Sequence, residues 1–134
     1  MKATLNFPDL STPVIMGILN ITPDSFYDGG RYDRDSRWAG RAEEMISQGA
    51  AILDIGGAST RPGSGGTGPE EEWQRIAPVI STLRARYPGI CLSVDTYHAI
   101  IAERAVGEGA DMVNDISGGT ADPEMAPFIG RHNI

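Results

Sequence analysis

Four polar side chains close four short apolar runs: Asn20 after 14–19, Asp54 in 51–55, Asp95 after 90–94, and Asn114 after Met112-Val113. Asp95 and Asn114 together offer a carboxylate acceptor and a mixed donor/acceptor amide. That set complements a flat heterocycle bearing amino and ring N–H groups, and groups on rigid strands fix a ligand's orientation. Thr60, Arg61 and the surrounding glycines supply a hydroxyl, a guanidinium and close backbone N–H donors, which suit a phosphate-type anion. The amide oxygen of Asn20 suits a hard cation, and Mg²⁺ commonly takes about one or two protein ligands beside waters and phosphate oxygens. Each residue also has a plainer reading: Asp95 and Asn114 could cap strand ends, and Arg61 could be a surface cation. The functional reading gains from their placement, because the same sequence puts all of them at one end of a sheet.

The elements that place them alternate. A piece at 3–7, followed by Pro8, Asp9 and Pro13, predicts a small lead-in strand or hairpin covering one end of a sheet. The first buried strand spans 14–19. Trp38, Ala42, Met45 and Ile46 then fall on one stripe of a helix over 36–48, which Gly49 would stop in a left-handed conformation. A second strand covers 51–55. Six glycines between 56 and 68 exclude a packed element there, so that stretch is a long loop. Glu70, Glu71 and Glu72 open a helix by placing negative charge at its positive end. Its apolar stripe of Trp73, Ile76, Ile80 and Leu83 runs to Arg86, and Pro78 within it predicts a kink or a restart. A third strand at 90–94 leads to a helix over 99–107 that sets Ile100, Ala105 and Val106 against the sheet. A fourth strand at 112–115, a glycine loop at 117–119 and a weaker helix from Asp122 to Ile129 complete the pattern, with a fifth strand due at Ile134.

Two regularities point to the architecture. Ala42-Glu43 and Gly49-Ala50 recur sixty residues later as Ala102-Glu103 and Gly109-Ala110, and each pair leads to a strand closed by Asp54 or Asn114. Sixty residues is about two strand–helix units, so the sheet should be parallel. The turns entering strands are short, whereas the loops leaving the first two strands are long and polar. Convergence of four strand ends on one mouth favours a (β/α)8 barrel over a doubly wound sheet, in which only strands beside the switch point share a crevice. A complete barrel takes about 250 residues, so 134 residues make roughly half of one.

Composition sets limits. Eighteen acidic against eleven basic residues give a net charge of −7 without a Lys/Arg cluster, which disfavours nucleic acid and anionic membranes. The single cysteine, Cys91, lies in an apolar run and reads as a buried structural thiol in a reducing compartment. No basic leader followed by a long apolar core opens the chain, and no apolar run approaches the roughly 20 residues that span a bilayer. These features predict a cytoplasmic protein.

Met16 to Gly30, reading MGILNITPDSFYDGG, and Asp54 to Gly63, reading DIGGASTRPG, resemble the paired signature of the dihydropteroate synthase family. Ser93-Val94-Asp95-Thr96 and Val113 to Gly119 are similar to that family's third- and fourth-strand motifs, in the same order. The resemblance implies a TIM-barrel transferase that joins p-aminobenzoate to 6-hydroxymethyl-7,8-dihydropterin pyrophosphate and releases pyrophosphate. It further implies that Asn20 holds the Mg²⁺ bound to pyrophosphate, that Thr60 contacts the pterin pyrophosphate, and that Asp95 and Asn114 bind the pterin ring. Asp24, Ser25 and Arg61 are candidate catalytic helpers in loops that would fold over the site. Metal-assisted departure of pyrophosphate would leave a pterin-stabilised carbocation for the arylamine to attack, with the closed loops keeping water away.

Ala58 departs from the resemblance, standing where the family commonly has Glu. A second pterin-binding Asp, a Lys and an Arg-x-His pair come from later strands of the family, and Arg131-His132 precedes the expected fifth strand and is not that pair. The expectation is therefore a half-barrel with little or no activity alone. Its open first and fourth strands would pair with a second copy or with a complementary half. A corrinoid-serving pterin methyltransferase domain is the alternative enzyme class, although it lacks the TPDSF and STRPG loops together. A non-catalytic structural half is the alternative outside enzymes.

Overall fold

The computed structural model describes residues 5–21, 37–58 and 67–134. Strand and helix alternate strictly through β1 (Ile15–Asn20), α1 (Arg37–Ser47), β2 (Ala50–Gly56), α2 (Pro69–Arg86), β3 (Cys91–Asp95), α3 (Ala99–Glu108), β4 (Met112–Asn114) and α4 (Met125–His132). The sheet order is β1-β2-β3-β4 and every neighbouring pair is parallel. Because the spatial order follows the chain order, the sheet has no reversal point of the doubly wound kind. Side chains alternate between two faces, and Leu19, Leu53, Ile55, Leu92 and Val94 share one of them. They form the main core with Ala42 of α1, Ile76, Val79, Ile80 and Leu83 of α2, and Ile101 and Ala105 of α3. Helices thus cover one face of a sequentially ordered parallel sheet, which is half of a (β/α)8 barrel.

Most boundaries lie within a residue or two of the expected ones, and the exceptions have physical causes. Residues 5–14 form no strand; instead Asn6 caps the entry end of the sheet, its N–H donating to Asp111 Oδ1 at 2.9 Å and its Nδ2 to the Pro88 carbonyl at 3.0 Å. Residues 3 and 4 of the expected lead-in lie outside the described residues. Pro78 does not restart α2, which is one helix of 18 residues. The lost bond to the Gln74 carbonyl costs about 3 kcal/mol in an isolated helix. Burial of Ile76, Val79, Ile80 and Leu83 on both sides of Pro78 outweighs that cost, at about 1.5–3 kcal/mol per side chain. Ile100 points away from the sheet and is 45% exposed, while its neighbours Ile101 and Ala102 are fully buried. Ile101 therefore takes the core position expected of Ile100, while Ala105 lies on the main core as expected and Val106 packs on a second cluster around Met125 and Phe128 of α4.

The sixty-residue echo has a three-dimensional meaning. Ala42 and Ala102 are both fully buried, where only a small side chain lets a helix approach its neighbour. Gly49 and Gly109 hold φ of 105° and 118°, a left-handed conformation that disfavours any residue with a Cβ. Arg84 secures the second of these turns, donating from Nε and Nη2 to the Gly109 carbonyl and from Nη1 to the carbonyls of Pro88 and Ile90. Its Nη2 also pairs with the buried Asp111 carboxylate at 2.5 Å. Cys91 is buried beside this pair, and desolvation, then the Asp111 charge, push its thiol up to about 11, as befits a structural cysteine. No helix of the described residues is long and apolar enough to cross a membrane.

Gly57 follows β2 and packs against α2, and a Cβ there would sit 2.7 Å from Ile76 Cγ2 and 3.0 Å from the Glu72 carbonyl oxygen. Gly57→Ala should lower stability by about 1–3 kcal/mol through overpacking. Gly107→Ala, on exposed helix surface with open space around it, should raise it by roughly 0.5–1 kcal/mol. Urea unfolding of both variants measures this; equal effects would refute the close approach of β2 and α2.

Candidate binding site at the mouth of the sheet

Parallel pairing puts Asn20, Gly56, Asp95 and Asn114 side by side on one rung across all four strands. The rung below it on the same face holds Ile18, Asp54, Ser93 and Met112. This face is opposite the helices and corresponds to the interior of a barrel. Gly56 keeps the rung open, since a Cβ there would lie 3.4 Å from Asp95 Oδ2 and 3.5 Å from Asn20 Oδ1. A side chain at position 56 would fill the space between the two oxygens.

Hydrogen bonds fix the groups around this opening. Asn114 donates from Nδ2 to Asp54 Oδ2 at 3.0 Å, joining the two polar residues that the sixty-residue echo relates. Asp54 is 1% exposed, and neither its Oδ1 nor the Oγ of Ser93 beside it has a partner among the described residues. Buried polar atoms without partners are costly in a fold and mark places where a ligand or solvent supplies the missing bond. Asp115 organises the loop after β4, accepting from the Ser117 N–H at 2.8 Å and the Gly119 N–H at 3.0 Å. Behind the site, Glu72 of α2 is 1% exposed and accepts from His98 Nδ1 at 2.9 Å.

Asp95 gathers the electrostatic consequences. Desolvation raises its pKa from an ordinary 3.8 to about 6, reinforced by the nearby charges of Asp54, Glu72 and Asp115. A carboxylate titrating there is tuned to accept hydrogen bonds from a ligand that replaces the lost solvent.

The structure brings Asn20, Asp95 and Asn114 together as expected from the strand ends, whereas Asp54, expected to close its strand, lies one rung below them because β2 continues to Gly56. Asp24, Ser25, Thr60 and Arg61 lie outside the described residues. Among the described residues no cluster of three or more His, Cys, Asp or Glu could hold a metal ion. Asn20 does present a hard oxygen donor at the open rung, which fits a magnesium ion bound mainly by waters and phosphate. Glu72 was missed as a site neighbour because it reads as one of three acids opening a helix. Its signal was phase: Glu72, Ile76, Val79, Ile80 and Leu83 occupy one stripe, so this acid faces inward while Glu70 and Glu71 face water.

A half-barrel that displays acceptors and an amide at its strand ends has the hydrogen-bonding polarity that complements a flat, donor-rich ligand. Residues 16–134 match the family model of the pterin binding enzymes, and the chain belongs to that family. The chain is 49% identical over 121 residues to the dihydropteroate synthase of Bacillus subtilis, covering 90% of this chain and 42% of that protein. It is 46% identical to the Mycobacterium leprae dihydropteroate synthase, with the same two coverages. Among solved structures, the Clostridium difficile dihydropteroate synthase in the presence of pteroic acid superposes with a TM-score of 0.81 at 46% identity, covering 90% of this chain and 45% of that one. The Xanthomonas albilineans enzyme with 4-aminobenzoic acid gives a TM-score of 0.84 at 39% identity, covering 92% and 45%. The chain thus spans less than half the length of these relatives.

The raised pKa of Asp95 has a stability signature. Between the unfolded value of 3.8 and about 6 the folded state binds more protons than the unfolded one, so stability falls as pH rises through that window. Asp95→Asn should therefore raise Tm relative to wild type at pH 7.5, and the gain should shrink on acidification toward pH 4. A Tm difference that stays constant between those two pH values would refute the burial of this charge.

Proposed function

We propose that the chain is the N-terminal half of a dihydropteroate synthase, the part that receives 6-hydroxymethyl-7,8-dihydropterin pyrophosphate for condensation with p-aminobenzoate. The observation that carries this reading is the open rung of Asn20, Gly56, Asp95 and Asn114, with Asp54 locking the Asn114 amide. Its chemistry matches a pterin, whose amino and ring N–H groups need acceptors in a plane. The relatives solved with pteroic acid and 4-aminobenzoic acid support the substrate class.

In this reading Asp95 accepts pterin N–H bonds and Asn114 fixes the ring edge. Thr60 contacts the pyrophosphate, while Asp24, Ser25 and Arg61 assist from the loops that leave β1 and β2. Asn20 would be the protein's ligand to Mg²⁺, which when bound supplies positive charge beside the departing pyrophosphate. The work of this half is to hold the pterin in one orientation and to bring the leaving group to donors; the remaining ligands belong to the complementary half. We assign the chain to the cytoplasm, in keeping with its single buried thiol.

Calorimetric titration of the chain with the pterin pyrophosphate tests the reading. Binding should require Mg²⁺ and be lost in Asn114→Ala. Affinity should rise with pH up to about 6, by at most about tenfold per pH unit, and level off above it as the acceptor form of Asp95 becomes complete. Absence of binding by the wild-type chain with Mg²⁺ would overturn a preformed pterin site. The outer edges of β1 and β4 are unpaired among the described residues, so we also assign this chain to a pairing with a second copy or a complementary half. Sedimentation should then show an associated species at micromolar concentration; a monodisperse monomer would rule out self-pairing.

A further inference from the structure

Asn114 can present either edge of its amide to a ligand, and the two edges have opposite hydrogen-bonding polarity. The neighbour that decides between them is Asp54, whose carboxylate offers only acceptors. An amide oxygen turned toward Asp54 would set two acceptors against each other, so Nδ2 must face it, as the 3.0 Å bond shows. The carbonyl of Asn114 is then directed away from Asp54. The surroundings of Asp54 hold its carboxylate in place. It is 1% exposed, lies at the centre of β2 between Ile18 and Ser93, and has Asn114 as its side-chain partner among the described residues. Its other oxygen, Oδ1, is buried and has no partner among the described residues, so no described side chain competes with Asn114 for the carboxylate.

We infer that Asp54 is a positioning residue that sets the polarity of the site: it locks Asn114 with its carbonyl turned outward, so that the mouth of the sheet selects a ring edge rich in N–H donors. The selection is built before any ligand arrives. It also accounts for the placement of a carboxylate against Asp95, whose pKa it helps to raise. A serine or alanine at position 54 would leave Asn114 free to turn and the site tolerant of either ligand polarity. The inference builds on the pterin reading for its choice of ligand, while the orientation of Asn114 stands apart from that reading.

Nitrogen-15 NMR of the full chain reads the orientation directly. The side-chain NH₂ pair of Asn114, assigned by its loss in Asn114→Ala, should be well separated in proton shift and slow to exchange with solvent. In Asp54→Asn, where two facing amides can pair either way round, the pair should broaden or exchange faster, while the backbone amides of Gly56 and Asp95 keep their shifts. Asp54→Leu, of similar shape and without an acceptor, should abolish the protection. The ligand arm compares pterin-6-carboxylate with its 2-dimethylamino-3-methyl derivative, which lacks the donors. The wild-type chain should prefer the former by on the order of tenfold or more, as expected where buried acceptors would otherwise stay unpaired, and Asp54→Asn should lose most of that preference. An Asn114 signal unchanged in both Asp54 variants would overturn the inference, as would an unaltered ligand preference. If the wild-type chain binds neither pterin, the pterin reading fails and the Asn114 signal alone decides the role of Asp54.

Discussion

The Arg84–Asp111 pair holds the sheet in the alignment that its mouth requires. Strand β4 has three residues and pairs with β3 at three positions, too few to resist a slip through backbone bonds alone. Asp111 stands at its entry, accepting from the Leu92 N–H at 3.0 Å and from Asn6 as well as from Arg84. Arg84 in turn grips the carbonyls of both strand-entry turns from α2. One guanidinium therefore ties a helix, two turns and two strands into a single unit. Loss of Arg84 would leave the Asp111 carboxylate as a buried charge without its cation, typically a cost of about 3–5 kcal/mol. The clamp sits at the supporting end of the sheet, and its effect is felt at the other, where it keeps Asn114 level with Asp95.

The two ends of the sheet are built on opposite principles. At the entry end, polar groups are paired and turns are short. At the exit end, three carboxylates crowd around Asp95, and Asp54, Glu72 and Ser93 each keep a buried polar atom without a partner among the described residues. Such an arrangement opposes folding, and it persists because the apolar layer between sheet and helices is continuous and fully buried. The cost falls where a ligand with several N–H donors would relieve it. Stability and binding are thus divided between two faces of the same strands, with Leu53 and Ile55 turned one way and Asp54 and Gly56 the other.

Much of this was legible in the residues. Apolar runs closed by Asn20, Asp95 and Asn114 identified three strand ends, whereas β2 runs past Asp54 to Gly56 and sets Asp54 one rung below them; the sixty-residue echo identified the parallel layout. The contact between Asp54 and Asn114 shows why the echo carries polar residues at its ends. What escaped reading depended on relations between elements. The phase of α3 hinged on Ile100 against Ile101, two identical side chains next to each other, and only packing against α2 and α4 separates them. Pro78 read as a kink or a restart, and the restart fails because local propensity omits the tertiary burial around it. The Glu72–His98 bond joins residues 26 apart, on a helix start and a loop with no shared periodicity. The lead-in piece alternates like a strand, yet Asn6 spends its hydrogen bonds on Asp111 and Pro88 instead.

The two left-handed glycine turns, Gly49-Ala50 and Gly109-Ala110, carry a consequence for how this chain can vary in length. A residue inserted at either turn would advance the following strand by one pleat and exchange its two faces. Asp54 would then turn into the helix layer while Leu53 took its place, and Val113 would take the place of Asn114 in the same way. Deletions there would do equal damage. Growth and shrinkage of this half-barrel are therefore confined to the loops that leave the strands, the margin that carries the open rung.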